Sequence, residues 1–263
     1  MPSTDLTSTV LAPNPGPMTL QGTNSYLIRR PGASEQIVVD PGPADANHLA
    51  ALTGAARVVL ILISHRHADH TEGARALHEF TGAPVRAADP AHCYAGGQRL
   101  TAEVTEVAGV GIEVVPTPGH TDDSVSFWLP EDGPAGSMLT GDTILGSGTT
   151  VITHPDGDLA EYFASLDALQ SFGPARVLPG HGPQLPDLAE ACGSYREHRQ
   201  QRLDQVRAVM RKLGVQQLGE TDQVDAALVE AVVATVYADS PAQVREAARQ
   251  SVTAQLLYLS RNG

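Results

Sequence analysis

Cysteine is almost missing from this chain: two of 263 residues, Cys93 and Cys192, lie far apart and outside any C-x-x-C pattern. That argues against a disulfide framework and a thiolate zinc site, and leaves both as reduced packing residues. Lysine occurs once, as Lys212, and aromatic residues make up only 4%, so the core must rest on Val, Leu, Ile and Ala. No apolar run approaches the roughly 18 residues that a membrane-spanning helix needs. The opening "MPSTDLTSTVLAPNPGPM" also lacks the apolar centre of a signal peptide. A cytoplasmic protein is the expectation, with no membrane and no protein partner implied. Neither G-x-S-x-G nor a phosphate-cradling P-loop occurs, which sets aside serine-nucleophile and P-loop nucleotide chemistry.

Positive charge is scarce too. The net charge of −13 opposes non-specific binding to nucleic acid or anionic membranes. It is unevenly spread: from Tyr195 onward nine basic residues face eight acidic ones, whereas the first 194 residues carry eight against 22. An acidic body of this kind concentrates metal cations and repels polyanions. The length suits one large α/β domain with a small appendage, and the expected division is residues 1–194 and 195–263.

What the chain does have is histidine in a particular place. The run "VVLILI", Val58 to Ile63, is apolar at every position and reads as a strand covered on both faces. Ser64-His65-Arg66-His67-Ala68-Asp69-His70 follows it directly, at the strand end where open α/β sheets place their ligands. In extended chain His65 and His67 point to one side and can share a metal. Asp69 and His70 lie where the chain turns toward an apparent helix, Thr71 to Phe80, whose apolar positions are Ala74, Leu77 and Phe80; they can face a second metal. Imidazole and carboxylate donors suit zinc, with manganese and iron as alternatives.

Three more donors sit at strand ends beside tight glycine turns: His120 in "VVPTPGH", Asp142 in "MLTGD" and His181 in "RVLPGH". Asp40 ends the strand "QIVVD", where its carboxylate would either steady a metal-bound histidine or cap the next turn. Strand and helix alternate at both ends of the first 190 residues and strands fill the middle, which predicts two packed sheets with helices outside, an αββα layering in the α/β class.

The ordered set D-P-G, H-x-H-x-D-H, P-G-H-T, G-D and P-G-H-G, from Asp40 to Gly182, resembles the metallo-β-lactamase superfamily in the dinuclear form shared by glyoxalase II. The resemblance implies that His65, His67 and His120 hold one zinc and Asp69, His70 and His181 the other, with Asp142 bridging. It implies hydrolysis by a hydroxide shared between the metals, with Asp40, Asp69 and Asp142 as the catalytic carboxylates. His67 stands where the diiron flavoproteins of the superfamily have glutamate, which points away from redox chemistry. His48, His78, His92, His154 and His198 match no ligand position. "NPGPMTLQGTNSYL", "GSGTTVI" and the Y-x-x-H-R-x-x-R segment of Tyr195, His198, Arg199 and Arg202 resemble the β-lactamase-like protein 2 branch. That branch implies a single-strand-selective endoribonuclease with a C-terminal winged-helix-like domain. Here only Ser260 to Gly263 follow the last expected helix, so a truncated wing is expected.

Leu203, Val206, Met210 and Leu213 form one apolar helical stripe in the tail, and Val224, Leu228, Ala231 and Val232 form another. Ser240-Pro241 reads as the opening of a third helix. Arg199 shares the buried side of Leu203; pairing with a carboxylate of the acidic body is favoured there over contact with an anionic substrate. Substrate contacts are expected from Thr23, Asn24, Thr149, Thr150, His198 and Arg199. Single-stranded RNA is the leading substrate and a small acyl thioester or lactone the alternative; a metal- or RNA-binding module without turnover is the reading from another class. Parallel RNA and acyl assays separate the three.

Overall fold

A computed structural model describes residues 4–219, 221, 223–238 and 245–262. One sheet is built from β1 (Thr7–Leu11), β2 (Asn24–Ile28), β3 (Glu35–Val39), β4 (Arg57–Leu62) and β5 (Val85–Arg86), hydrogen-bonded in that order. β1 to β3 are antiparallel, and β4 runs parallel to both β3 and β5. The other sheet contains β6 (Glu103–Val107), β7 (Val110–Pro116), β8 (Val125–Leu129), β9 (Ser137–Gly141) and β10 (Arg176–Pro179), again in chain order, with only β9 and β10 parallel.

Side-chain alternation along the strands sorts the core into layers. Ile37, Val39, Leu60 and Leu62 meet Ile112, Phe127, Leu139 and Leu178 between the sheets. Val38 and Ile61 point the other way, joined by Val58 because the β3–β4 pairing slips by one residue between Val58 and Leu60, onto α1 (Ala46–Thr53) and, after the short α2 (Ala68–Thr71), α3 (Ala74–Thr81), through Leu52, Ala74 and Leu77. β4 is apolar on both faces because both are covered. Outside the second sheet, Met138 and Val177 share a cluster with α4 (Leu159–Gln170), α5 (Leu188–Lys212), α6 (Ala226–Val236) and α7 (Arg245–Asn262). The layers are therefore helix, sheet, sheet, helix, the αββα sandwich expected. No described helix is long and apolar enough to cross a membrane.

The helix expected over Thr71 to Phe80 is two helices instead. Between them Gly73 N donates to Gly42 O at 2.8 Å, and a Cβ at Gly73 would lie 3.0 Å from the Pro41 and Gly42 carbonyl oxygens. Docking against the Asp40-Pro41-Gly42 turn breaks the helix there. Phe80 is 76% exposed rather than core: each three-residue step falls about 60° short of a full turn, and two steps from Ala74 carry it off the buried face. In the tail Leu203, Val206 and Met210 are buried, but Leu213 is exposed because α5 ends at Lys212. α5 runs unbroken through residues 194 and 195, and no strand follows β10 among the described residues. Ser240-Pro241 lies outside the described residues.

Candidate metal centre

Five strands end at one rim of the sandwich, and each hands over a polar residue: Asp40 after β3, His65 after β4, His120 beyond β7, Asp142 after β9 and His181 beyond β10. His67 is the N-cap of α2, which carries Asp69 and His70. Close approach demands glycine at two of the turns. A Cβ at Gly119, where φ is +130°, would lie 2.4 Å from Tyr162 Cα, and one at Gly180 would lie 2.4 Å from Asp142 Oδ1.

The structure brings all seven predicted donors together. His67 Nδ1 is 3.1 Å from both His65 Nε2 and His120 Nε2. His181 Nε2 is 3.1 Å from Asp69 Oδ2 and 3.3 Å from His70 Nε2. Asp142 lies between these two groups, with Oδ1 3.5 Å from His70 Nε2 and Oδ2 3.4 Å from His181 Nε2 and 3.8 Å from His120 Nε2.

The outward nitrogens show why the inward ones fit metal. His70 Nδ1 donates to Asp40 Oδ2 at 2.8 Å. His120 Nδ1 donates to the Val151 carbonyl at 2.9 Å, and His181 Nδ1 to the Gly22 carbonyl at 3.1 Å. His67 Nε2 donates to Asp156 Oδ2 at 3.0 Å. Ser64 Oγ donates to Asp40 Oδ2 at 2.6 Å and so is free to accept from His65 Nδ1 at 3.0 Å. In the tautomers that these partners dictate, the inward nitrogens of His65, His67 and His120 are bare lone pairs aimed at one another, whereas those of His70 and His181 face the Asp69 and Asp142 carboxylates as well. Lone pairs at such separations repel unless a cation sits between them. Tetrahedral zinc with bonds near 2.05 Å spaces its ligands about 3.3 Å apart, close to the spacing here. Asp142 Oδ1 is moreover buried without a hydrogen-bond donor.

Charge divides the donors into two kinds. Burial pushes His65 well below the ordinary imidazole pKa and lowers His120 as well. Burial acts the same way on His70 and His181, but carboxylates prevail there. The charges of Asp40 and Asp142 raise His70 well above its usual value, and hydrogen bonds to Asp142 and Asp69 raise His181 to about 9. Asp142 is desolvated too, yet the His70 charge and the His181 hydrogen bond hold it well below the carboxylate range.

Asp40 touches no inward donor atom. It accepts from Ser64 N at 2.7 Å as well as from Ser64 Oγ and His70 Nδ1, so it orients the ring that faces the cluster. Its φ of +51° is unusual for a non-glycine residue, and buried His48 steadies the segment through Ser25, whose Oγ bonds the Asp40 carbonyl. Asp156 and Arg66 escape sequence reasoning. Asp156 bonds His67 through Oδ2 and Arg66 through Oδ1, and Arg66 also pairs with Asp122. Nothing in "THPDGD" marks that aspartate.

Of the expected substrate contacts, Thr23 Oγ1 lies 3.3 Å from Asp69 Oδ2, whereas the Asn24 amide is spent on the Pro179 and Gly182 carbonyls at 2.9 Å each. Thr150 Oγ1 is 3.3 Å from His120 Nδ1. Thr149, His198 and Arg199 line a neighbouring cavity. Arg199 does not take the carboxylate partner favoured from sequence. Its guanidinium bonds the Thr150 carbonyl and lies over the Tyr162 ring at 5.4 Å, since that carbonyl and ring are what α5 docks against.

An αββα sandwich with a histidine-aspartate cluster at its rim is the plan of a metal-dependent hydrolase. Residues 18–181 match the profile of the Metallo-beta-lactamase superfamily and residues 229–263 that of the Beta-lactamase associated winged helix domain. The chain belongs to the metallo-beta-lactamase superfamily. It is 31% identical over 277 residues to a Beta-lactamase-like protein 2 homolog of Caenorhabditis elegans, covering 98% of this chain and 85% of that one. It is also 31% identical over 247 residues to an atrochrysone carboxyl ACP thioesterase of Aspergillus fumigatus, covering 90% of this chain and 75% of the relative. In fold it is similar to a metallo-beta-lactamase family protein from Thermus thermophilus, with a TM-score of 0.74 and 23% identity over 98% of this chain and 94% of the other.

Proposed function

We propose that this chain is a two-zinc hydrolase of small acyl thioesters. His65, His67 and His120 would hold one ion, Asp69, His70 and His181 the other, with Asp142 between them; manganese or iron would accept the same donors. The observation that carries this reading is the convergence of seven donor side chains, five of them imidazoles whose other nitrogen is engaged by an outward hydrogen bond. Bound there, divalent ions supply Lewis acidity and a water of lowered pKa. The residues do the rest: Asp40 and Asp156 hold two of the rings, and Asp69 and Asp142 balance the charge. Residues 1–194 act as the hydrolase body, and residues 195–263 add a wall beside the centre.

A thiolate leaves without needing a proton near neutral pH, so thioester cleavage asks least of these residues. The similarity to a thioesterase over most of the chain supports it, and so does the acidic group Asp122, Asp123 and Asp156 around Arg66, which disfavours a polyanion. Single-stranded RNA stands second, on the nearly full-length likeness to the β-lactamase-like protein 2 homolog. The test is a parallel assay of zinc-loaded protein on acyl thioesters, lactones and single-stranded RNA, with a His67→Ala/His70→Ala control. Thioester turnover that disappears in the control is expected. RNA cleavage without thioester cleavage would reverse the order, and retained zinc with no turnover on any substrate would leave a binding module.

A further inference from the structure

A cavity of about 280 Å³ lies beside the centre, between the sandwich and the helical tail. Two of its walls touch the cluster. Thr150 and Val151 both contact the His120 ring, and Pro17 and Met18 belong to the loop that leads to Thr23 at Asp69. Its floor is α5, with His198, Arg199 and Arg202.

These three basic side chains meet no carboxylate among the described residues. Arg199 is only 5% exposed, bonds one carbonyl, and leaves its Nε without a partner; His198 Nδ1 is likewise buried and unpaired. Arg202 bonds Gln205 Oε1 and the Val236 carbonyl and lies over the Tyr237 ring. Elsewhere in this acidic chain Arg66, Arg86 and Arg196 each pair with an acid. A buried guanidinium without counter-charge is costly, and three cationic or donor groups around one hollow suit an anionic guest. Met18, Val151, Tyr237 and Ala248 line the rest of it, which suits a carbon chain.

We propose that this cavity is the acyl-recognition subsite and takes an acyl group that itself carries a carboxylate, gripped by Arg202 and His198 with Arg199 beneath. The assignment rests on the thioesterase reading above. A planar carboxylate matches the guanidinium fork, and the apolar walls suit methylenes better than a phosphate.

The zinc-loaded full chain is tested with glutaryl and pentanoyl thioesters of N-acetylcysteamine, which differ by the terminal carboxylate. The wild type is expected to prefer the glutaryl ester by roughly 10- to 100-fold in kcat/KM, mainly through KM. Arg202→Gln should bring the ratio near one while Arg202→Lys keeps part of it. Calorimetry with free glutarate and with inorganic phosphate gives a second readout: glutarate should bind and lose its affinity in Arg202→Gln. Equal rates on the two esters overturn the proposal, as does glutarate binding that persists in Arg202→Gln, since the dianion would then sit on the metals. Phosphate binding without glutarate binding overturns the carboxylate assignment. If neither ester is cleaved but glutarate binds through Arg202, the subsite stands and the thioesterase reading falls.

Discussion

The two halves of the centre reach similar donor spacing by opposite electrostatics. His65, His67 and His120 form a group of three imidazoles in which burial keeps His65 and His120 neutral. Asp69, His70 and His181 form a group in which carboxylates draw positive charge onto both rings. The first half is prepared for a metal by exclusion of water and by outward partners that are mostly uncharged: Ser64 Oγ for His65 and the Val151 carbonyl for His120. The second is marked by negative charge, which raises His70 and His181 above the ordinary imidazole pKa, so a metal entering it as proposed would have to displace protons. A zinc ion should therefore enter the first half without displacing a proton from His65 or His120, and the second half only by exchange.

Asp142 is a carboxylate with oxygens close to rings of both halves, so removing its charge has the largest expected effect. Asp142→Asn keeps the shape and loses the anion; kcat should fall by at least roughly 10²- to 10³-fold, with metal content lowered in both halves. Near-normal turnover would mean that the halves work independently. Stripping the metals comes next. If zinc is present at about 1,000 times its dissociation constant, its loss should lower Tm by roughly 10 °C, read by differential scanning fluorimetry with and without chelator. An unchanged Tm would show that the cluster holds no ion.

Much of this was legible before any coordinates. The seven donor candidates, the rim on which they gather and the αββα layers follow from apolar runs that give way to polar residues, three of them at glycine turns, at strand ends that share one edge. The outward shell was not legible. Asp156 lies 89 residues from His67, Ser64 is a small polar residue like many others, and carbonyls such as those of Val151 and Gly22 leave no trace in side-chain chemistry. The misplaced residues, Phe80 and Leu213, sit at helix ends, where a stripe runs past the face that a neighbour covers.

The electrostatic contrast can be measured by titration. A folded pKa above the unfolded one makes protonation favour the native state, so the His181 contribution is complete below about pH 6.5 and gone once pH passes about 9. His70 shifts in the same direction. Metal-free protein should lose Tm as pH rises through that window, while zinc affinity rises because fewer protons must leave. Zinc titration at pH 7.5 in weak buffer should release about one to two protons per chain, all with the second half. Release of none would erase the contrast.

A smaller effect separates the halves by one charge. Among the described residues, Asp156 is the only carboxylate that bonds an outward nitrogen of the first half, through His67 Nε2, as Asp40 does for the second through His70 Nδ1. Asp156→Asn keeps an acceptor for His67 but weakens the anchor that Arg66 shares. Loss of such a partner costs roughly 10- to 100-fold in metal affinity, and retention of an acceptor places the change near the lower bound, about tenfold. In competition with a chromophoric chelator one zinc per chain should weaken and the other hold, whereas Asp40→Asn should weaken the opposite one. Asp156 is partly exposed and lies outside the packed layers, so thermal stability of the metal-free variant should barely move. Equal weakening of both ions by Asp156→Asn would show that His67 is shared between the halves, and the division into a neutral and a charged half would then be wrong.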